Sequence, residues 1–200
     1  MIRIFQRWID QQREALRAGW KARLTVGLML GLTAGLLTGC AGPQLSDHAG
    51  QKPDFDFRQY FSGKVQAQGL VTDRGGKLLR RFVVTLNGQW SGDQGTLDEQ
   101  FVYDDGERQH RIWRITQLVD GRFIGRADDV VGMAEGAQAG AAFRWQYTLR
   151  VPVDGRELEL QFDDWMFRVD ERTVINRATM RKFGFRVGEV LLSFQRVDGV

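Results

Sequence analysis

Residues 143–151 alternate strictly: Phe143, Trp145, Tyr147, Leu149 and Val151 fall on one face, and Arg144, Gln146, Thr148 and Arg150 on the other. A period of two is the signature of a half-buried strand. Leu158, Leu160, Phe162 and Met166 oppose Glu157, Glu159 and Gln161 in the same way, and Phe82, Val84 and Leu86 repeat the pattern. Between such runs stand turn signals: Asp73-Arg74-Gly75-Gly76, Asp104-Asp105-Gly106, Val119-Asp120-Gly121, Val153-Asp154-Gly155 and Val169-Asp170-Glu171. Asp-Gly pairs supply the positive φ angles of tight hairpins. The pattern predicts an all-β domain of about eight to ten antiparallel strands joined in sequence, with one helical turn over Asp56 to Phe61. Such a meander closes into an up-and-down barrel of lipocalin type, because closure leaves no unpaired edge. A two-sheet sandwich is the alternative. A barrel of about eight strands just holds one small ligand.

The first forty residues have another pattern. Lys21 and Arg23 precede the apolar run Leu24 to Leu37, which ends in Thr38-Gly39. Positive charge, apolar core and small residues, in that order, make a secretory signal. The sixteen residues from Leu24 to Gly39 fall short of the ~20 that span a bilayer as a helix, so the segment reads as a signal to be removed. Leu37-Thr38-Gly39-Cys40 resembles the lipobox of bacterial lipoproteins, which implies cleavage before Cys40 and acylation of its thiol. Two or three acyl chains, at about 0.8 kcal/mol per buried methylene, form a stable membrane anchor. Cys40 is the one cysteine of the chain, so it has no disulfide partner within it. Ala41, rather than Asp, follows it; by resemblance to sorting in Gram-negative envelopes, this implies the outer membrane, with the domain facing the periplasm. Residues 1–39 are therefore read as signal peptide, 40–54 as lipidated cysteine and flexible tether, and 55–200 as the barrel domain.

Composition fits this division: 42% hydrophobic and 26% charged residues over 200 positions suit one globular domain with a short appendage. The pI near 9.3 points to an anionic partner only until the charge is located. Of 28 Lys/Arg and 25 Asp/Glu, six and two precede Cys40, leaving 22 and 23 in the rest. A near-neutral domain without a basic block lacks the electrostatic footprint of a nucleic-acid binder.

Chemistry-bearing residues are few. Only His48 and His110 could serve a nucleophile, the first in the tether and the second beside a hairpin turn, so a Ser-His-Asp arrangement and a zinc site both lack parts. No glycine loop lies between a strand and a helix, so no nucleotide cofactor is expected, nor any other cofactor or metal. Alternation places Asp164 with Leu160, Phe162 and Met166, and Asp129 with Phe123, Ala127 and Val131, both pointing inward. Inward carboxylates require partners, and Arg177, Asn176 and Arg80 are the candidates by position. Such a cluster either fixes the register of the barrel or forms the polar floor for an amphipathic ligand. In the second case the head group meets Asp129, Asp164, Asn176 and Arg177, and the tail meets Trp145, Tyr147, Phe162 and Phe194. Two carboxylates also suit acid–base chemistry on a glycan, if one holds its proton to an unusually high pH. Trp165 and Phe167 fall on the outer face, where either a neighbouring loop packs over them or they mark a contact for a partner or the membrane.

Gly125-Arg126-Ala127-Asp128-Asp129-Val130-Val131-Gly132, Pro152-Val153-Asp154-Gly155, Phe162-Asp163-Asp164-Trp165-Met166, Asn176-Arg177 and Lys182-Phe183-Gly184 together resemble the DUF3833 family of proteobacterial lipoproteins. Gly140-Ala141-Ala142 departs from the Gly-Asn-Ala expected there. The resemblance brings no assigned catalytic residues with it, and family members tend to be encoded near lipid-modifying enzymes. The expectation is an outer-membrane-anchored, periplasmic β-barrel that binds a lipid or fatty-acid derivative. A structural envelope protein whose filled barrel docks a protein partner is second, and an enzyme acting on envelope lipid or glycan third.

Overall fold

A computed structural model describes residues 42–153 and 155–197. The signal segment and Cys40 lie outside them. Pro43–Pro152 and Glu157 onward make up one compact unit.

Its strands are β1 (Gly63–Asp73), β2 (Leu78–Ser91), β3 (Gln94–Tyr103), β4 (Arg108–Gln117), β5 (Phe123–Arg126), β6 (Ala134–Ala139), β7 (Ala142–Val153), β8 (Arg156–Arg168), β9 (Thr173–Lys182) and β10 (Phe185–Arg196). Each neighbours the next in sequence, and β1 pairs with β10 from Val65↔Arg196 to Asp73↔Gly188, closing the barrel. Closure excludes the sandwich. The alternation read from the sequence is the in/out alternation of the wall: Phe143, Trp145 and Leu149 on β7, Leu160 and Phe162 on β8, and Phe82, Val84 and Leu86 on β2 are all buried. The Asp-rich turn signals at 73–76, 104–106, 119–121 and 169–171 each fall between consecutive strands.

One end is closed by aromatic side chains. The helical turn expected within Asp56–Phe61 is α1 (Phe57–Tyr60), capped by the Asp56 carboxylate, which accepts from the Gln59 N–H. Phe55, Phe57, Tyr60 and Phe61 enter the barrel there: Phe57 stacks on Phe143 at 4.3 Å, and Phe61 meets Phe194 edge to face at 5.5 Å. Hydrogen bonds tie the plug to the turns around it. The Phe55 N–H donates to the Gly140 carbonyl, the Phe57 N–H to Gln138 Oε1, and the Tyr60 hydroxyl to the carbonyls of Arg172 and Phe194. Gly88 makes this fit possible, since a Cβ there would lie 1.6 Å from the Phe61 carbonyl oxygen. The hairpins β1–β2, β3–β4, β5–β6 and β9–β10 lie at the other end, the mouth.

The segment expected to be a free tether is instead laid on the barrel from Pro43 onward. Leu45–His48 forms a 3-10 turn, and the His48 ring packs edge-on against Trp165 and Phe167 at 5.8 and 5.3 Å. Trp165 is thereby buried on the outer face. The low apolar content of this segment suggests a flexible chain; the His48 ring over two aromatics and the Asp54 carbonyl, which accepts from Arg168 Nη1 at 2.7 Å, seat it on the barrel.

Candidate functional site

Midway along the barrel the apolar lining is interrupted by a charged and hydrogen-bonded cluster. Arg111 on β4 forks onto Asp129 through Nε, at 3.1 and 3.0 Å from the two carboxylate oxygens, and Nη2, at 2.8 Å. Its Nη1 also lies 3.7 Å from Glu99 Oε2 on the paired strand β3. That distance is an ion pair without a hydrogen bond, and Glu99 Oε2 is buried with no hydrogen-bond partner. Burial pushes the Glu99 carboxyl up to about 7, the charge of Asp129 adds to the effect, and Arg111 and the Trp113 indole oppose it.

Across the barrel, Asp164 on β8 is buried and accepts from the Tyr147 hydroxyl at 3.1 Å and from Asn176 Nδ2, which also donates to the Trp165 carbonyl at 3.1 Å. Burial raises the Asp164 carboxyl to about 6, with Asp163 adding to the shift and the two hydrogen bonds opposing it. Tyr147 stacks on Phe162 at 5.1 Å and meets Trp113 edge to face at 5.4 Å, which fixes the phenol between the two carboxylate groups' surroundings. Its hydroxyl is held protonated by burial and by the charge of Asp164.

Between this cluster and the mouth the wall is apolar and only partly buried: Val71, Leu158, Met180, Val190 and Leu192 pack against the core without being covered. Arg80 and Tyr103 stand beside them, the guanidinium 3.7 Å from the ring centre. Arg80 Nη2 donates to Asp105 and Glu107, while its buried Nε has no partner. Among the described residues no helix covers this end.

Of the residues expected at the site, Asp129, Asp164, Asn176, Tyr147 and Phe162 come together. Asp128 and Asp163, as alternation requires, turn outward, to Arg114 and Arg144 respectively. Three differ. Arg177 is exposed on the outer face of β9, paired in register with Trp165, so Asp129 is met by Arg111 instead. Phe194 belongs to the plug, against Phe61. Trp145 is buried over Gly136, where a Cβ would lie 2.3 Å from its ring, and so forms wall rather than ligand surface. Glu99 and Arg111 were missed. Glu99 alternates with Leu97 and Phe101, and Arg111 with Trp113 and Ile115, a signal of the same kind as that which located Asp164.

His110 sits on the outer face with Asp98 at 2.8 Å. An open groove of 790 Å³ lies along outward-facing positions of β2–β5, including Thr96, Arg114, Thr116 and Arg126, away from the buried cluster.

A search of curated proteins finds no match. Among solved structures, an S-type phycobiliprotein lyase from Guillardia theta is similar at 9% identity and a TM-score of 0.54, over 72% of this chain and 92% of that one. At that identity the likeness concerns the fold alone. The profile described as "Protein of unknown function (DUF3833)" matches residues 34–196, and the chain belongs to the DUF3833 family.

Proposed function

We propose that the protein is a lipid-anchored carrier of the outer membrane, facing the periplasm, that takes a hydrophobic or amphipathic molecule at the mouth of its barrel. The observation that carries this reading is a buried cluster with an unused acceptor, Glu99 Oε2, beneath a partly exposed apolar wall. Buried polar atoms are almost always satisfied, and one that is not marks the place where a partner is missing.

The electrostatics narrow the ligand. Arg111 is already committed to Asp129, and the remaining carboxyls, Glu99 and Asp164, leave the cluster neutral to negative around pH 7. An anionic head group would be repelled there. A neutral head with a donor, such as a hydroxyl, an amide or a protonated acid, complements Glu99, and an acyl tail suits Val71, Met180, Val190 and Leu192. Native mass spectrometry of protein purified from bacterial envelopes, with lipid analysis of what accompanies it, tests the reading. One lipid per chain is expected. A chain that arrives empty and takes up neither added fatty acid nor monoacylglycerol would sink it. The aromatic filling of the plugged end favours a second reading in that event, a structural envelope protein that docks a partner.

A further inference from the structure

Two neighbouring hairpins at the mouth carry a feature that the ligand reading does not use. The β9–β10 connection is the two-residue turn Phe183-Gly184, with φ of 51° and 82°. Turns of this type are normally built from Asn, Asp or Gly, because positive φ is unfavourable for a residue with a bulky side chain. Here a phenylalanine occupies the first position and is 85% exposed, with Phe185 77% exposed beside it. Neither the turn nor the core accounts for these rings. An outlier that structure does not require points to a functional constraint.

The β1–β2 hairpin stands next to it, since β10 pairs with β1, and Arg186 Nη2 joins the two by donating to the Arg74 carbonyl at 2.9 Å. It adds Leu78, 50% exposed. Register shifts at Val71/Thr72 and Arg186/Gly188 bend both strands at this same rim. Arg74, Lys77, Arg181, Lys182 and Arg186 surround the apolar tips, against Asp73, Glu189 and, on the neighbouring strand β8, Glu159, whose carbonyl accepts from Lys182 Nζ at 2.7 Å. Asp73 is turned to the Gly75 and Lys77 N–H groups, and Glu189 to Arg186. Lys182 Nζ lies 4.8 Å from the centre of the Phe183 ring. The tips are therefore aromatic at the point and basic around it.

We infer that these two hairpins dock on an anionic phospholipid bilayer, with Phe183 and Phe185 entered at head-group depth and the surrounding cations on lipid phosphates, which sets the mouth of the barrel on the membrane. Aromatic points ringed by Lys and Arg are the residue types that bind such an interface. Two narrow tips suit insertion between head groups better than a protein interface, which buries roughly 800 Å² per partner. The plug and the segment from Pro43 to Gln51 are at the closed end, and Pro43 follows Cys40 by three residues, so the bilayer met by the mouth is a second one, opposite the membrane that holds the anchor. The inference goes beyond the carrier reading by giving the ligand its route between bilayer and barrel.

The test reads the tip itself, whatever the N-terminal segment does. In the full chain with Cys40→Ser, a single cysteine is placed by Phe183→Cys and labelled with an environment-sensitive fluorophore; the reference protein carries it at Val119→Cys, in the fully exposed turn at the plugged end. Vesicles of phosphatidylglycerol and phosphatidylethanolamine should blue-shift the label at 183 and expose it to bilayer-borne quenchers, leaving the label at 119 unchanged. Lys182→Glu with Arg186→Glu should weaken the response about tenfold, and pure phosphatidylcholine should give little. A label at 183 that stays in water, or a response indifferent to charge reversal, overturns the inference. Circular dichroism confirms folding of each variant. Fatty-acid uptake by the same preparations, without vesicles, separates loss of docking from loss of the carrier site.

Discussion

Glu99→Gln replaces a buried acid by its neutral isostere and gives a stability change whose sign depends on pH. In the unfolded chain the Glu99 carboxyl ionises at its ordinary 4.5; in the fold it holds its proton to about 7, chiefly because burial penalises the anion. Below 4.5 it is protonated in both states and the fold bears no penalty. From 4.5 to about 7 the unfolded chain releases the proton first, so stability falls as pH rises, and above about 7 the loss is complete. At roughly 1.4 kcal/mol per pH unit, that interval amounts to about 3 kcal/mol. Glutamine has no such penalty. Urea unfolding followed by tryptophan fluorescence, run on both proteins from pH 4.5 to 8.5, should show the variant gaining on the parent by about 3 kcal/mol across the range. Asp164 behaves in the same direction between 3.8 and about 6, but it is present in both proteins and cancels in the difference. Parallel stability curves, differing by less than ~0.5 kcal/mol at every pH, would refute the burial of a strained acid at this position.

Arg111→Met strands Asp129 and Glu99, and breaking a mostly buried pair costs about 3–5 kcal/mol; the loss in urea midpoint should be largest at pH 8 and smaller at pH 5, where Glu99 is protonated. Phe57→Ala removes the ring stacked on Phe143 and facing Phe123, and should destabilise by about 3–5 kcal/mol without altering the response of the mouth to added ligand. Cys40→Ser should abolish incorporation of labelled palmitate; retention of the label would refute the lipobox reading.

The wall of this fold was legible because its signal is local. Strand β7 alternates from Phe143 to Val153 and β8 from Leu158 to Phe162, and Asp-Gly turns mark the ends of several hairpins, so strand count and closure follow from periodicity and the cost of open edges. The site was legible only in half. Alternation states whether a side chain faces in, which sufficed for Asp164 and Asn176. It does not state which strand lies opposite, so Arg177, adjacent to Asn176 in sequence, presents itself as a partner although the same rule turns it outward. Asp129 follows the end of β5, in the turn before β6, and reaches Arg111 from there, a contact that no strand register encodes. The seating of His48 over Trp165 and Phe167 joins residues more than a hundred positions apart, in a segment whose composition carries no periodic signal.

The cluster itself divides into groups with different physical standing. Asp164 has Tyr147 and Asn176, and Asp129 has the fork of Arg111, so each carboxylate is satisfied by the protein and each fixes a neighbour in place. Groups of that kind explain register and ring orientation without a ligand. Glu99 differs: Arg111 is near enough to lower its energy but too far to bond, its Oε2 is bare, and its proton is exchanged near neutral pH. An arrangement built only for stability would place a leucine there, as the apolar face of β3 does at Leu97 and as Phe101 does two residues on. Glu99 and the partly exposed apolar wall above it are what a bound molecule would complete, and a protein with Glu99→Gln that is more stable at pH 8 yet binds lipid less would connect the cost of that residue to its use.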